Sequence, residues 1–149
     1  MSRYFEVVSN NYRQHSGDIQ LPTRSDPRSA GYDFYSPTDV VLAPGESKLI
    51  FTDVKANMLP DEVLMLYVRS SMGKVPIVIA NGTGVIDSSY YSNVGNDGNI
   101  GFRLLNLGNV SYEIHIGDRI GQGVFMKYLV TDDDDTTGVR HGGYGSTGK

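Results

Sequence analysis

A succession of short apolar, β-branched runs, each closed by a turn signal, constrains this chain more than any other feature. Residues 47–54 are rich in apolar and β-branched side chains, and residues 63–68 form a continuous apolar run of the kind a strand buried on both faces carries. Further runs follow at 75–80, 84–86, 101–107, 111–116 and 120–130. In 111–116, Tyr112, Ile114 and Ile116 alternate with Glu113 and His115, which places His115 on the outer surface. Between the runs sit Pro44-Gly45, Leu59-Pro60-Asp61, residues 95–98, Gly108-Asn109 and Gly117-Asp118, and Asn81-Gly82 is a strong tight-turn pair. Such spacing predicts an all-β antiparallel sandwich or jelly roll. One short helix fits, near residues 70–74, where a serine can cap the start. The polar segment 14–28 reads as a loop.

At 149 residues the chain is expected to form one domain with a real core, residues 1–137, followed by a glycine-rich tail, 138–149. No stretch reaches the length of a transmembrane helix, and no signal-peptide pattern opens the chain, so a cytoplasmic, membrane-free protein is expected. With no cysteine there are neither disulfides nor thiolate metal sites. A net charge of −4 argues against nucleic-acid binding, which calls for a basic face. The run Asp132-Asp133-Asp134-Asp135 reads as a solvated loop, because consecutive like charges repel and resist convergence on a cation.

Five clusters could carry chemistry. They are Ala30-Gly31-Tyr32-Asp33-Phe34-Tyr35-Ser36, Arg69-Ser70-Ser71-Met72-Gly73, the segment from Asn81 through Gly84, Ile86 and Asp87 to Tyr90, Gly117-Asp118-Arg119-Ile120-Gly121-Gln122, and the tail from Arg140 to Lys149. Singly, each has a plain structural reading: Asp33 and Asp87 as turn residues, Arg69-Ser70-Ser71 as a strand end and helix cap, Gly117-Asp118 as a tight turn. The tail imitates half of a phosphate loop, Gly143 to Lys149, but no helix can follow, so it is no Walker loop. It still offers glycine N–H groups, Arg140 for phosphate oxygens, the hydroxyls of Ser146 and Thr147, and Tyr144 as a lone aromatic. An arginine with two hydroxyls makes an anion site, and an Asn-Gly hairpin can read a base edge with backbone groups. Asp87 three residues before Tyr90 offers a base for water beside an aromatic wall for a sugar.

These five clusters, in this order over roughly residues 20–149, closely resemble the motifs of the trimeric dUTPase family. The resemblance implies a distorted β jelly roll assembling as a homotrimer with three shared active sites. It implies Mg²⁺-dependent hydrolysis of dUTP to dUMP and pyrophosphate by water attack on the α-phosphorus, lowering dUTP and supplying dUMP for thymidylate synthesis. Carried over by position, Asp33 would hold the Mg²⁺ through water, and Arg69, Ser70, Ser71 and Gly73 would bind phosphates with Gln122. Asn81, Gly84 and Ile86 would read uracil, Asp87 would activate the attacking water, and Tyr90 would pack under the deoxyribose and crowd out a 2′-hydroxyl. Arg140 would meet the γ-phosphate, Tyr144 would stack on uracil, and Gly145, Ser146 and Thr147 would complete a flexible lid.

The chain departs from the family pattern in places. Tyr144 stands where phenylalanine is frequent, Arg140 sits one residue closer to the glycine pair, and Tyr91-Ser92-Asn93 replaces an arginine-glycine-glutamate run. A related dCTP deaminase needs a glutamate on the strand after the third motif, whereas Phe102-Arg103-Leu104-Leu105-Asn106 holds no acid. A nucleotide-controlled regulator binding a protein partner is a further reading that the residues leave open.

Overall fold

The computed structural model describes residues 2–144, with eleven strands and three single 3₁₀ turns among them. A four-stranded antiparallel sheet carries most of the candidate site, in the order β2 (Tyr32–Tyr35), β11 (Arg119–Lys127), β6 (Glu62–Tyr67), β8 (Gly84–Asp87). A three-stranded sheet runs β4 (Ser47–Phe51), β9 (Gly101–Asn106), β7 (Ile77–Ile79), and two ribbons pair β1 (Tyr4–Val7) with β5 (Val54–Asn57) and β10 (Tyr112–Ile114) with β3 (Val40–Leu42). This is the all-β jelly-roll arrangement that the strand spacing predicts. The apolar run at 63–68 becomes β6, hydrogen-bonded on both sides, by β11 and β8. Phe34 of the larger sheet meets Phe102 of the smaller at 5.3 Å between ring centroids, and both are buried with Leu42, Leu64, Leu104 and Ile120. Each such side chain contributes roughly 1.5–3 kcal/mol on burial, so this inter-sheet layer is the main source of stability.

Several elements differ from the expectation. The helix near 70–74 is a 3₁₀ turn, Ser70–Gly73, with Arg69 at the capping position and no side-chain cap, so neither serine caps it. The run at 47–54 is two strands. Asp53 turns the corner between them with φ of 60°, and its fully buried carboxylate accepts the N–H groups of Gln14 and His15, each at 2.9 Å. That bond set pins the N-terminal segment, whose strand β1 carried no signal above the background. Asn81-Gly82 is a turn, with Gly82 at φ of 80°, but it joins two sheets: β7 pairs with β9 and β8 with β6. Ile116 is 66% exposed instead of inward, because β10 ends at Ile114 before the Gly117-Asp118 turn. Loop 14–28, the surface position of His115 and the exposed aspartate run at 132–135 match expectation. No helix among the described residues is long and apolar enough to cross a membrane.

Candidate active site

The sequence clusters separate into two groups at opposite edges of the four-stranded sheet. At one edge, β2 presents Asp33, buried, whose carboxylate accepts a bond from Arg69 Nε at 2.9 Å and lies 3.8 Å from Arg119 Nε. Arg69 also reaches Ser71 Oγ at 3.4 Å. Gln122, opposite Asp33 on β11, donates to the Val68 carbonyl at 3.2 Å. Asp33, Arg69, Ser71 and Gln122 thus gather as one polar cluster, with Ser70 and Gly73 exposed on the adjoining 3₁₀ turn.

At the other edge, a cleft of about 360 Å³ is lined by Asn81, Gly84, Ile86, Asp87, Tyr90 and Tyr144, together with Arg140. Asp87 ends β8 and precedes the 3₁₀ turn Ser88–Tyr90, yet its side chain caps nothing. It is half exposed and ion-paired with Arg140, which also donates to Ser89 Oγ at 3.0 Å and to the Gly142 carbonyl at 2.9 Å. Tyr90 is 4% exposed. Its hydroxyl donates to the Asn99 carbonyl at 2.6 Å and accepts from Asn96 Nδ2 at 2.7 Å. Burial pushes the Tyr90 phenol well above its ordinary pKa, and burial likewise raises that of Tyr144, so both stay protonated at neutral pH. The Tyr144 hydroxyl donates to the Gly101 carbonyl at 2.9 Å and accepts the Gly101 N–H at 2.8 Å, with its ring 6.4 Å from that of Tyr90.

Register measures the gap between the groups. Asp33 lies opposite Gln122, which faces Tyr67, whereas Asp87 lies opposite Val63. Three inter-strand steps and a four-residue offset put the backbone positions of Asp33 and Asp87 about 14 Å apart across the sheet and about 13 Å along it. Asp33, Arg69, Ser70, Ser71 and Gln122 are absent from the lining of the Asp87 cleft. Gly145, Ser146 and Thr147 lie outside the described residues.

The sequence gave no role to Arg119, although it lies in the fourth cluster and sits beside Asp33, and it missed Phe102 and Arg103 in the cleft wall and Asn96 and Asn99 holding Tyr90. The three-residue spacing of Asn93, Asn96 and Asn99 was the available signal for the last two.

The dUTPase family model matches residues 17–148. The chain belongs to the dUTPase family. It is 44% identical over 149 residues to the deoxyuridine 5′-triphosphate nucleotidohydrolase of Lactococcus lactis, covering 98% of this chain and 97% of that one. It is 36% identical over 132 residues to the enzyme of the same name from vaccinia virus, covering 85% and 84%. Among solved structures, the dUTPase of Streptococcus mutans superposes with a TM-score of 0.78 at 35% identity, covering 86% of this chain and 98% of that one.

Proposed function

We propose that the chain carries out the reaction its family is named for, hydrolysis of dUTP to dUMP and pyrophosphate. The observation that carries this reading is Asp87: a carboxylate at the mouth of a nucleoside-sized cleft, on a rigid strand, with no capping duty to explain it. In this reading the uracil lies against the backbone of the segment from Asn81 to Ile86. Its sugar rests on Tyr90, whose ring leaves no room for a 2′-hydroxyl. Asp87 takes a proton from the water attacking the α-phosphorus. Arg69, Ser70, Ser71, Gly73 and Gln122 neutralise and orient the phosphates, so positioning and electrostatics supply most of the rate.

The two edges of one subunit lie too far apart to grip one nucleotide. A homotrimer, in which one copy's phosphate-binding edge faces a neighbour's Asp87 cleft, resolves this. Residues 138–149 act as a lid, with Arg140 leaving Asp87 for the γ-phosphate, Tyr144 covering the base, and Gly145, Ser146 and Thr147 closing over the phosphates.

Among the described residues no three acidic or histidine side chains converge. If a Mg²⁺ ion binds with the nucleotide, Asp33 is the carboxylate that would hold it, through water, since Mg²⁺ keeps several waters. When bound, that ion would draw charge from the phosphates.

The test is pyrophosphate release with dUTP, dCTP, dTTP and UTP. Turnover of dUTP alone at low concentration is expected. Equal turnover of dCTP or dTTP would overturn the base assignment, and a solution mass near 16.3 kDa would overturn the shared site.

A further inference from the structure

The loop 91–100 is unlike the rest of the surface: five of its ten residues are buried although nearly all are polar or glycine. Buried polar groups are costly unless each finds a partner, so a loop of this kind is retained where its bonds fix something. Its bonds converge on Tyr90. Asn96 Nδ2 donates to the Tyr90 hydroxyl at 2.7 Å, and the Asn99 carbonyl accepts that hydroxyl's proton at 2.6 Å. Asn93 Nδ2 donates to the Tyr90 carbonyl at 2.7 Å and to Asn96 Oδ1 at 2.8 Å. Asn96 Oδ1 also accepts the Gly98 N–H at 3.1 Å, so both ends of the Asn96 amide are engaged and its rotamer is fixed.

The loop is itself fastened from beneath. Gly98 has φ of 85°, and a Cβ there would lie 2.9 Å from the Tyr90 carbonyl, so a side chain is excluded on both counts. Asp97, also at positive φ, is buried against Lys55 Nζ at 3.0 Å and accepts the Ser9 N–H at 2.8 Å. The chain from the Lys55–Asp97 pair through Asn96 to the phenol is continuous, and it ends on the ring that faces the cleft.

We propose that Asn96 is a positioning residue for sugar selection: by holding the Tyr90 hydroxyl from the loop side, it fixes the height of the ring against a 2′-hydroxyl. This rests on the reading of Tyr90 as the floor under the deoxyribose. A ring in van der Waals contact excludes an extra oxygen only while it cannot recede. A phenol held by a donor and an acceptor on a buried loop cannot recede without breaking both bonds. Asn96 does not line the cleft, so its loss would reach the reaction through the ring.

The experiment measures kcat/KM for dUTP and for UTP by pyrophosphate release, with melting temperature alongside, on the full chain. Asn96→Ala is expected to narrow the dUTP-over-UTP preference by up to about tenfold, the worth of one well-placed hydrogen bond, with kcat for dUTP nearly kept. In a Tyr90→Phe background, Asn96→Ala should narrow the preference no further, because the phenylalanine leaves Asn96 no hydroxyl to hold. A lowered melting temperature with an unchanged preference would overturn the inference, as would additive effects of the two substitutions. Should Asn96→Ala fail to fold, Tyr90→Phe removes the Asn96 bond together with the one to the Asn99 carbonyl, and full preference in that variant overturns the inference equally. Tyr90→Ile separates the two levels. If it keeps the full preference, the sugar-floor reading falls and Asn96 with it. If it loses the preference while Asn96→Ala keeps it, the Asn96 inference falls alone.

Discussion

Replacing Asp87 by asparagine separates catalysis from architecture at the residue on which the reaction depends most. Asparagine keeps the size and most hydrogen-bonding capacity of the side chain but cannot take a proton. A positioned general base contributes roughly a hundred- to ten-thousandfold. Saturated turnover of dUTP should fall by that factor, about 3–5.5 kcal/mol of barrier. The structural cost should be small, because the carboxylate caps no turn, is half exposed, and loses only its ion pair with Arg140. Exposed pairs are worth about 0–1 kcal/mol, so the melting temperature should move by no more than about 3 °C. Affinity for a non-hydrolysable dUTP analogue should hold or tighten, since one negative charge near the triphosphate is gone. Three measurements on one variant decide the matter: kcat, analogue affinity and melting temperature. Retained kcat with a lowered melting temperature would refute the base assignment and return Asp87 to the role of a turn former.

Three further outcomes are expected. Deleting residues 138–149 should abolish most dUTP turnover while leaving the fold and the oligomeric mass intact; unchanged turnover would refute the lid. Gly121→Ala should cost about 1–3 kcal/mol of stability, because its Cβ would lie 2.3 Å from the buried Phe102 ring, and denaturant titration reads this directly. Lys55→Met should cost about 3 kcal/mol at neutral pH by leaving the buried Asp97 carboxylate without its cation. Burial pushes the Asp97 pKa up, but the Ser9 N–H bond and Lys55 outweigh it and hold it below the usual carboxylate range. Its stabilisation is therefore present above about pH 4 and lost as pH falls through the depressed folded value. In the variant the unpaired carboxylate is relieved by protonation, so the gap between the two proteins should narrow towards pH 3; a constant gap would refute the pairing.

Strands with a one-sided or fully apolar pattern were legible in the sequence, and β6, β9 and β11 lie where their runs predict. Elements held by polar bonds were not. The corner at Asp53 depends on a carboxylate serving backbone groups from residues 14 and 15, a long-range contact that local periodicity cannot encode. The same limit hid β1, which owes its place to pairing with β5. At the site, residue types and order picked out two groups of residues that the structure gathers at two sheet edges. Their separation across the sheet follows from pairing order, with β11 and β6 inserted between β2 and β8, and no motif carries that. The Asn93, Asn96 and Asn99 series was visible as letters, but only the fold shows that all three bond to Tyr90, two of them at its hydroxyl.

The pairing order also gives the proposed reaction a common trigger at both edges. Each carboxylate assigned a part in the chemistry rests on an arginine assigned to phosphate: Asp33 on Arg69, and Asp87 on Arg140. A triphosphate outcompetes a single carboxylate for a guanidinium, because it offers several anionic oxygens in a geometry the planar fork matches. Arrival of the nucleotide would then draw both arginines away at once, leaving Asp33 to meet a hydrated cation and Asp87 to meet a water. A nucleoside without phosphates would fill the cleft and release neither. In the proposed reaction the arginines would do more than bind: Arg140 would neutralise Asp87, and Arg69 with Arg119 would neutralise Asp33, until the triphosphate is in place.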